Sequence, residues 1–530
     1  HYALANSLDA TGAVSGDNEV GGLVGSSAGA LVNVYASGAV LGSFSGSPSA
    51  TYIGGLVGNV NGSVSITDGY YVSNSTGMPH GIQADGSEGL SLTELAMALP
   101  SGFDPSVWGN VGNQTTPYLL ALTNNPQPVF LLNDGTPFPY SLLFNLDQVQ
   151  DINNDLGGHY ALANSLDATG VTWTPIGTSA THFSGIFDGL NNTISNLTIT
   201  TTNSYVGLFG YSAGTIRNVG VVGGSINGMG NSHYDGDLVG WNSGAIVNSW
   251  ATGAVTGNID VGGLVGWNAG TINNSYATGA VTAHSSNAGG LVGQNSGTIS
   301  SSFAMGAVSS SGAGGLVGYN NGGAISDSYA TGVVTGGSLG GLVGLNDGTV
   351  TDSYWDTQTS GVSTSDGGIG LTTAELQTGL PFGFDHTVWG SATGLYPYFL
   401  WQYPTTPEAV TGIAYGDSGV TPLRGGSVTA LVDGVSLGSA STGANGYYYL
   451  LAPSGTISYG GSAVLAYTGN GARLDTRMGT TSQFDIWGDN TLIAPTRAFY
   501  YSDASATPLQ TQDAALLAQA VGTNPDPTAG

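Results

Sequence analysis

The sequence predicts an all-β fold: a right-handed parallel β-helix of about 26 residues per coil, followed by a C-terminal β-sandwich. Three observations carry this reading. The phrase GGLVG-x-N-x-G returns with its leucine at Leu208 (as GLFG), Leu238 (DLVG), Leu264, Leu291, Leu316 and Leu342, in steps of 30, 26, 27, 25 and 26 residues. From Leu238 onward each copy is followed by an aromatic in a phrase such as NSYATG, at Trp250, Tyr276, Phe303, Tyr329 and Tyr354. Helical periodicity is missing from the array, and Gly, Asn and Ser punctuate it where tight corners are needed.

Each coil is expected to hold three short strands: GGLVGxN, then xSGTIxNSY with Ile and the aromatic alternating in and out, then ATGAVTG. Asn242-Ser243-Gly244, Asn268-Ala269-Gly270, Asn295-Ser296-Gly297 and Asn346-Asp347-Gly348 suit the corners, because Gly and Asn tolerate positive φ. Stacking at about 4.8 Å per coil puts six coils over roughly 29 Å and aligns identical positions into ladders of Leu, Asn and aromatics. The candidate structural ladder is therefore Leu208, Leu238, Leu264, Leu291, Leu316 and Leu342 with Trp250, Tyr276, Phe303, Tyr329 and Tyr354.

A larger duplication surrounds the repeat. HYALANSLDATG occurs at His1–Gly12 and again at His159–Gly170, and two further repeat leucines are Leu23 and Leu56. GLSLTELAMALPSGFDPSVWG with TPYLL (Gly89 to Leu120) matches GLTTAELQTGLPFGFDHTVWG with YPYFL (Gly370 to Leu400). The expected organisation is a shortened module with its cap over 1–123, a Pro-rich linker over 124–145 and a complete module with its cap over 146–403. Prolines cannot donate to a central ladder, which makes the second of these a linker or edge crossover. A β-sandwich over 404–470 and a β-rich extension over 471–530, with a short helix at Thr511–Gly522 and a linker-like end, complete the chain. Phe183–Ile199 reads as a first, broader coil, and Thr372 or Thr373 as N-cap of a short helix through Ala374-Glu375-Leu376. Capping is expected because an open solenoid end invites strand pairing with other chains. The chain opens at His1, without Met and inside a repeated phrase, so it reads as a segment of something longer.

Only 7% of residues are charged, and 33 acids face 5 bases for a net charge of −28. That balance repels nucleic acid and anionic lipid, and neither is expected as a partner. Cys is absent, which excludes disulfides, zinc thiolates and thiol nucleophiles. No signal peptide and no apolar run of about twenty residues appears, so membrane insertion is not expected.

These phrases resemble the GLUG repeat of large bacterial exoproteins of the filamentous haemagglutinin-like kind and of some IgA-cleaving metallopeptidases. The matching residues are GLFG at Gly207–Gly210, DLVG at Asp237–Gly240 and the GGLVG copies beginning at Gly262, Gly289, Gly314 and Gly340. The resemblance implies a secreted or surface-anchored bacterial protein, an adhesin stalk, and carries no catalytic residue. Val410–Leu450, with its G-A-N-G-Y-Y-Y turn, resembles the prealbumin-like or Cna-B-type sandwich of surface proteins. The Lys–Asn crosslink of many such domains cannot form here, because the chain has no Lys.

The seven His (His1, His80, His159, His182, His233, His284, His386) include no H-E-x-x-H, and no G-x-S-x-G elbow occurs. The remaining enzyme reading is polysaccharide cleavage by Asp235, Asp237 and Asp260, with His233 as base, since such sites need paired carboxylates on one face. A solvated corner loop explains these acids more cheaply. DGD (Asp235–Asp237) and SDASA (Ser502–Ala506) offer oxygen ligands that make calcium the one cofactor candidate, without the repeat or EF-hand spacing that calcium loops use. Trp241 and Trp267 share a repeat position and could stack on sugars or simply cover a corner. No catalytic, cofactor or metal residue is expected. The expected function is structural and adhesive, outside a bacterial cell, with a cell-surface or glycan ligand. The alternatives are a filament subunit or homo-oligomer assembled by stacking, and a polysaccharide-degrading enzyme.

Overall fold

The computed structural model describes residues 139–457 except 231 and 418, much of 464–488, and shorter stretches of 8–131. The segments Ser502–Ala506 and Thr511–Gly522 lie outside the described residues, as does most of His1–Gly12. The chain folds as two compact units, 1–166 with 185–192, and 167–184 with 193–530.

The second unit holds a parallel β-solenoid. The coils between the first and the last each contribute to four sheets rather than three, as in Val239–Asn242, Ala245–Val247, Trp250–Ala251 and Ala254–Gly262. The expected second strand is cut in two by a left-handed residue just before the Ser-aromatic pair. Asn248, Asn274, Ser301, Asp327 and Asp352 hold φ of 48°, 51°, 45°, 51° and 43°. Short polar side chains tolerate that conformation better than others, which accounts for Asn, Ser and Asp at this one position.

Register follows the repeat. Val239 pairs with Val265, Val265 with Val292, Val292 with Val317 and Val317 with Val343. All six repeat leucines are fully buried, as are Ile216, Ile246, Ile272 and Ile299. The double glycine ahead of Leu264, Leu291, Leu316 and Leu342 is a matter of space. A Cβ on Gly290 would lie 2.2 Å from the Gly315 carbonyl oxygen of the next coil, too close for any side chain.

Two polar ladders run beside this apolar interior. Asn242 Nδ2 donates to Asn268 Oδ1, Asn268 to Asn295 and Asn295 to Asn320, each at 2.8 Å, and Asn320 donates to Asn346 at 2.7 Å. Every buried amide thus finds the next, the condition under which polar groups are tolerated in a core. The serines of NSY form the second ladder: the Oγ of Ser275, Ser302, Ser328 and Ser353 each accepts from the backbone N–H of the preceding serine at 3.0–3.3 Å.

The aromatics after those serines stack. Ring centroids lie 6.3 Å apart for Trp250–Tyr276, 4.7 Å for Tyr276–Phe303 and 5.0 Å for Phe303–Tyr329. The segment after Asp356 does two things. Thr364 O and Ser365 Oγ accept from the N–H groups of Gly341 and Leu342, and Ile369–Leu371 pairs with Tyr354–Asp356, so the last coil's edge is covered. Thr372 then caps the helix Thr373–Leu376 in a capping box with Glu375. The chain next runs back along the aromatic column, where Trp389 packs 5.8 Å from Tyr329, Phe399 5.3 Å from Phe303 and Trp401 5.8 Å from Trp250.

Two sheets form the C-terminal sandwich. One joins Tyr447–Ala452, Glu408–Ile413 and Thr481–Gln483; the other joins Val435–Ser441, Ser427–Val432, Val464–Tyr467 and Ala472–Asp475. Val410, Val428, Ala430, Tyr448, Val464 and Ile486 fill the space between them.

In the first unit, Leu31–Ala36, Ile66–Val72 and Glu88–Leu90 stack in parallel. Helix Leu92–Met97 follows, capped by Ser91 and Glu94. Trp108 and Phe103 pack on Tyr35 at 5.7 and 6.3 Å. Pro128 sits in the outer strand Gln127–Val129, where a missing N–H costs no central bond. Of Phe183–Ile199, residues 185–192 belong to this unit, while Thr193–Ser195 and Thr198–Thr201 are strands of the other.

Candidate functional site

The acids of HYDGD are not in a solvated corner. Asp235 pairs in register with Val261, which pairs with Ala288, so it occupies an inward position of the coil. Asp237 stands where later coils have Gly263, Gly290, Gly315 and Gly341. Both side chains are 0% exposed, and Asp260 is 4% exposed. Gly228 and Gly257 make the room: a Cβ on either would come within 2.4 and 2.0 Å of Asp235 Oδ2. Ser232 Oγ donates to Asp235 Oδ2 and the Gly253 N–H to Asp237 Oδ2, both at 2.9 Å, while Oδ1 of each acid has no protein partner. Burial pushes Asp235 up to about 7, and burial raises Asp237 well above the usual carboxylate range. Burial also raises Asp260, against the opposing pull of Asn287 Nδ2, 2.8 Å away, and of His233. Asp235 and Asp237 are thus sealed acids beneath the surface, out of reach of a polymer chain.

Above them lies an aromatic platform. Tyr205, Tyr234, Asp260 and Asn287 share one column, each preceding an inward residue, and all hold left-handed φ (65°, 67°, 57° and 56°). Asp and Asn adopt this conformation readily; a Tyr does so at a cost of about 1–3 kcal/mol, and such strain gathers at working surfaces. It holds the Tyr234 ring 5.1 Å from both Tyr205 and Trp241, and 5.2 Å from Trp267. Trp241 stacks on Trp267 at 4.3 Å and on Tyr211 at 5.6 Å, the latter pair within 9° of parallel. All five rings are half-buried. The sequence singles out Trp241 and Trp267 but misses Tyr205, Tyr211 and Tyr234; the signal lay in SYVG and HYDG, which put Tyr two places before the repeat glycine.

Beside Tyr205 a groove of about 630 Å³ opens between 171–179 and 198–206. Thr172, Thr178, Thr198, Thr200, Asn203 and Ser204 line it with neutral hydroxyl and amide groups, and none of its lining residues is charged. Trp173, 6% exposed, is pinned by its Nε1–H donating to Leu208 O at 3.1 Å. The predicted ladder residues lie elsewhere: the leucines inside the coils, the column Trp250 to Tyr354 under the returning chain. Among the described residues no group of three or more His, Asp or Glu is placed to hold a metal, and no helix is long and apolar enough to cross a membrane.

Comparison with known proteins matches the GLUG motif at residues 257–282 and 309–335. A 132-residue segment is 33% identical to a "Putative Gly-rich membrane protein" of Evansella cellulosilytica, covering 23% of this chain. The match spans 15% of that relative's length. A β-solenoid carrying GLUG motifs fits a surface or exported protein.

Proposed function

We propose that this chain is part of an exported adhesive protein of a bacterial surface, and that its solenoid presents the Tyr205–Trp267 platform to a neutral glycan. The observation that carries the reading is the pair of strained tyrosines, Tyr205 and Tyr234, spent on displaying rings beside stacked tryptophans. Aromatic rings offer apolar faces to the C–H groups of a sugar ring, and the adjoining groove supplies uncharged donors and acceptors for its hydroxyls. With a net charge of −28, the chain favours a neutral ligand over a polyanionic one.

Hydrolysis of that glycan receives less support, because the acids nearest the platform are enclosed. Filament growth by stacking on the last coil also receives less, since residues 364–371 already occupy that edge.

Retention of the purified chain on neutral polysaccharide columns tests the proposal. The Trp241→Ala Trp267→Ala double variant and Tyr234→Ala should lose retention while keeping the β-type circular dichroism of the wild type. Undiminished retention of both variants would rule the platform out. Surface labelling of the producing cells tests export separately, and a wholly internal protein would end that part of the reading.

A further inference from the structure

A second opening lies on a different face of the same unit, where the C-terminal sandwich meets the aromatic column. The sequence builds one wall by repetition. Two residues after each column aromatic comes the T of ATG, so Thr252, Thr278 and Thr331 follow Trp250, Tyr276 and Tyr329, with Met305 after Phe303. The strands around Ser439 and Tyr449, with Gln402 and Tyr403 from the returning segment, form the opposite wall. The enclosed volume is about 300 Å³, at the lower end of small-molecule sites.

Three properties of this cleft point to a ligand. In a chain with 33 acids and 5 bases, no lining residue is charged. The solenoid wall is aromatic and thioether, from Trp250, Tyr276, Phe303 and Met305, and Leu437, Leu450 and Leu451 add aliphatic surface. Two residues that line the cleft, Tyr449 at 8% exposed and Thr359 at 2% exposed, carry hydroxyls that are buried without a hydrogen-bond partner in the protein. The Tyr396 backbone N–H approaches the Tyr449 oxygen as a donor outside hydrogen-bond geometry, so the hydroxyl's own proton meets no acceptor in the protein.

Neighbouring hydroxyls behave differently. Tyr276 Oη accepts from Gln402 Nε2 at 2.7 Å, Tyr447 Oη accepts from Gln377 Nε2 at 3.0 Å, and Tyr396 Oη donates to Asp356 Oδ2 at 2.7 Å. Buried polar groups are almost always satisfied, so two orphans lining one neutral, aromatic-walled cleft mark where outside donors and acceptors belong.

We propose that this cleft is a binding site for a neutral polyhydroxylated ring, one or two sugar units in size, whose hydroxyls pair with Tyr449 Oη and Thr359 Oγ1 while its C–H face lies on the aromatic wall. The site is separate from the Tyr205–Trp267 platform and does not depend on it. Its occupant is either a free sugar or the end of a longer glycan.

Calorimetric titration of the whole chain with cellobiose, maltose, lactose and diacetylchitobiose tests the proposal. At least one should bind saturably at one site, and Tyr449→Phe and Thr359→Val should each weaken it about tenfold. Trp241→Ala should leave that affinity unchanged, which keeps this site distinguishable from the outer platform. Tyr449→Phe should also hold the melting temperature or raise it by about 1–2 °C, since it removes an unpaired buried hydroxyl. Competition by the corresponding polymer would assign the site to glycan ends, and its absence to free sugars. The proposal is overturned if no disaccharide binds, so that solvent alone fills the cleft, or if both variants bind as the wild type does. A drop in the melting temperature of Tyr449→Phe would equally overturn it, by giving the hydroxyl a structural role.

Discussion

Tyr329 Oη donates to the Pro397 carbonyl at 2.7 Å, tying the fourth ring of the aromatic column to the Y-P-Y turn of the returning segment. The first unit repeats the bond, with Tyr35 donating to the Pro117 carbonyl. A second tie is duplicated as well: Tyr354 donates to Phe382 O and Tyr70 to Ser101 O, both at 2.9 Å. The shared VWG…PY block is thus a strap along the side of the column, anchored by tyrosines from the coils.

Removing one anchor should loosen the strap without unfolding the coils. Tyr329→Phe keeps the ring in its stack and leaves a buried carbonyl unpaired, for an expected loss of about 1–2 kcal/mol. Trp389→Ala, which empties the space among Phe303, Tyr329, Phe384 and Phe399, should cost about 3–5 kcal/mol. Chemical denaturation followed by tryptophan fluorescence orders the two, and equal effects would contradict the strap.

The asparagine ladder should be sensitive at its middle. Asn295→Ala takes from Asn268 Nδ2 its shortest acceptor, leaving Gly270 O and Thr298 O at 3.3 Å, and takes from Asn320 Oδ1 its ladder donor, both deep inside the unit. The expected loss is about 2–4 kcal/mol, more than at Asn346, where the ladder ends near the surface. Comparison of the two melting temperatures checks the order.

The repeat interval and the leucine, asparagine and aromatic positions were legible because stacking makes sequence period and spatial period the same thing. The four-sheet outline was not, because the residue that breaks the second strand is variously Asn, Ser or Asp and looks like an ordinary polar position. The burial of Asp235 was hidden for a related reason: its column reads Val206, Asp235, Val261, Ala288, and only alignment of the coils shows the acid replacing an inward apolar residue. The three tyrosines of the platform fall outside the GGLVG phrase and the aromatic column Trp250 to Tyr354, and the orphan hydroxyls of Tyr449 and Thr359 arise where segments distant in sequence meet.

Backbone proximity between coils gives a contrast between two glycines. A Cβ on Gly306 would lie 1.8 Å from the Gly279 carbonyl oxygen, whereas one on Gly312 would meet nothing nearer than 3.7 Å. Gly306→Ala should therefore lower the melting temperature by several degrees or prevent folding, and Gly312→Ala should be neutral within about 0.5 kcal/mol. Equal tolerance at both positions would mean that the coils are not packed this closely.

Stability should depend on pH in a direction set by the sealed acids. Asp235 titrates near the ordinary 3.8 when unfolded and at about 7 when folded, because burial disfavours the charged form, and burial raises Asp237 well above the usual carboxylate range too. Between those values the native state holds protons that the unfolded chain has released, so unfolding free energy falls as pH rises. The contribution of Asp235 is fully present below about pH 4 and is lost as pH climbs through about 7, and that of Asp237 is lost in the same direction. For Asp235 a shift of this size amounts to a few kcal/mol. Asp417 acts oppositely: hydrogen bonds from the Thr421 side chain and backbone hold it at about 2, so what it contributes disappears only on strong acidification. The melting temperature should accordingly be higher at pH 5 than at pH 8. Asp235→Asn Asp237→Asn keeps the shape of both side chains and removes both titrations, so it should flatten that slope. An unchanged slope in the double variant would place the pH dependence elsewhere.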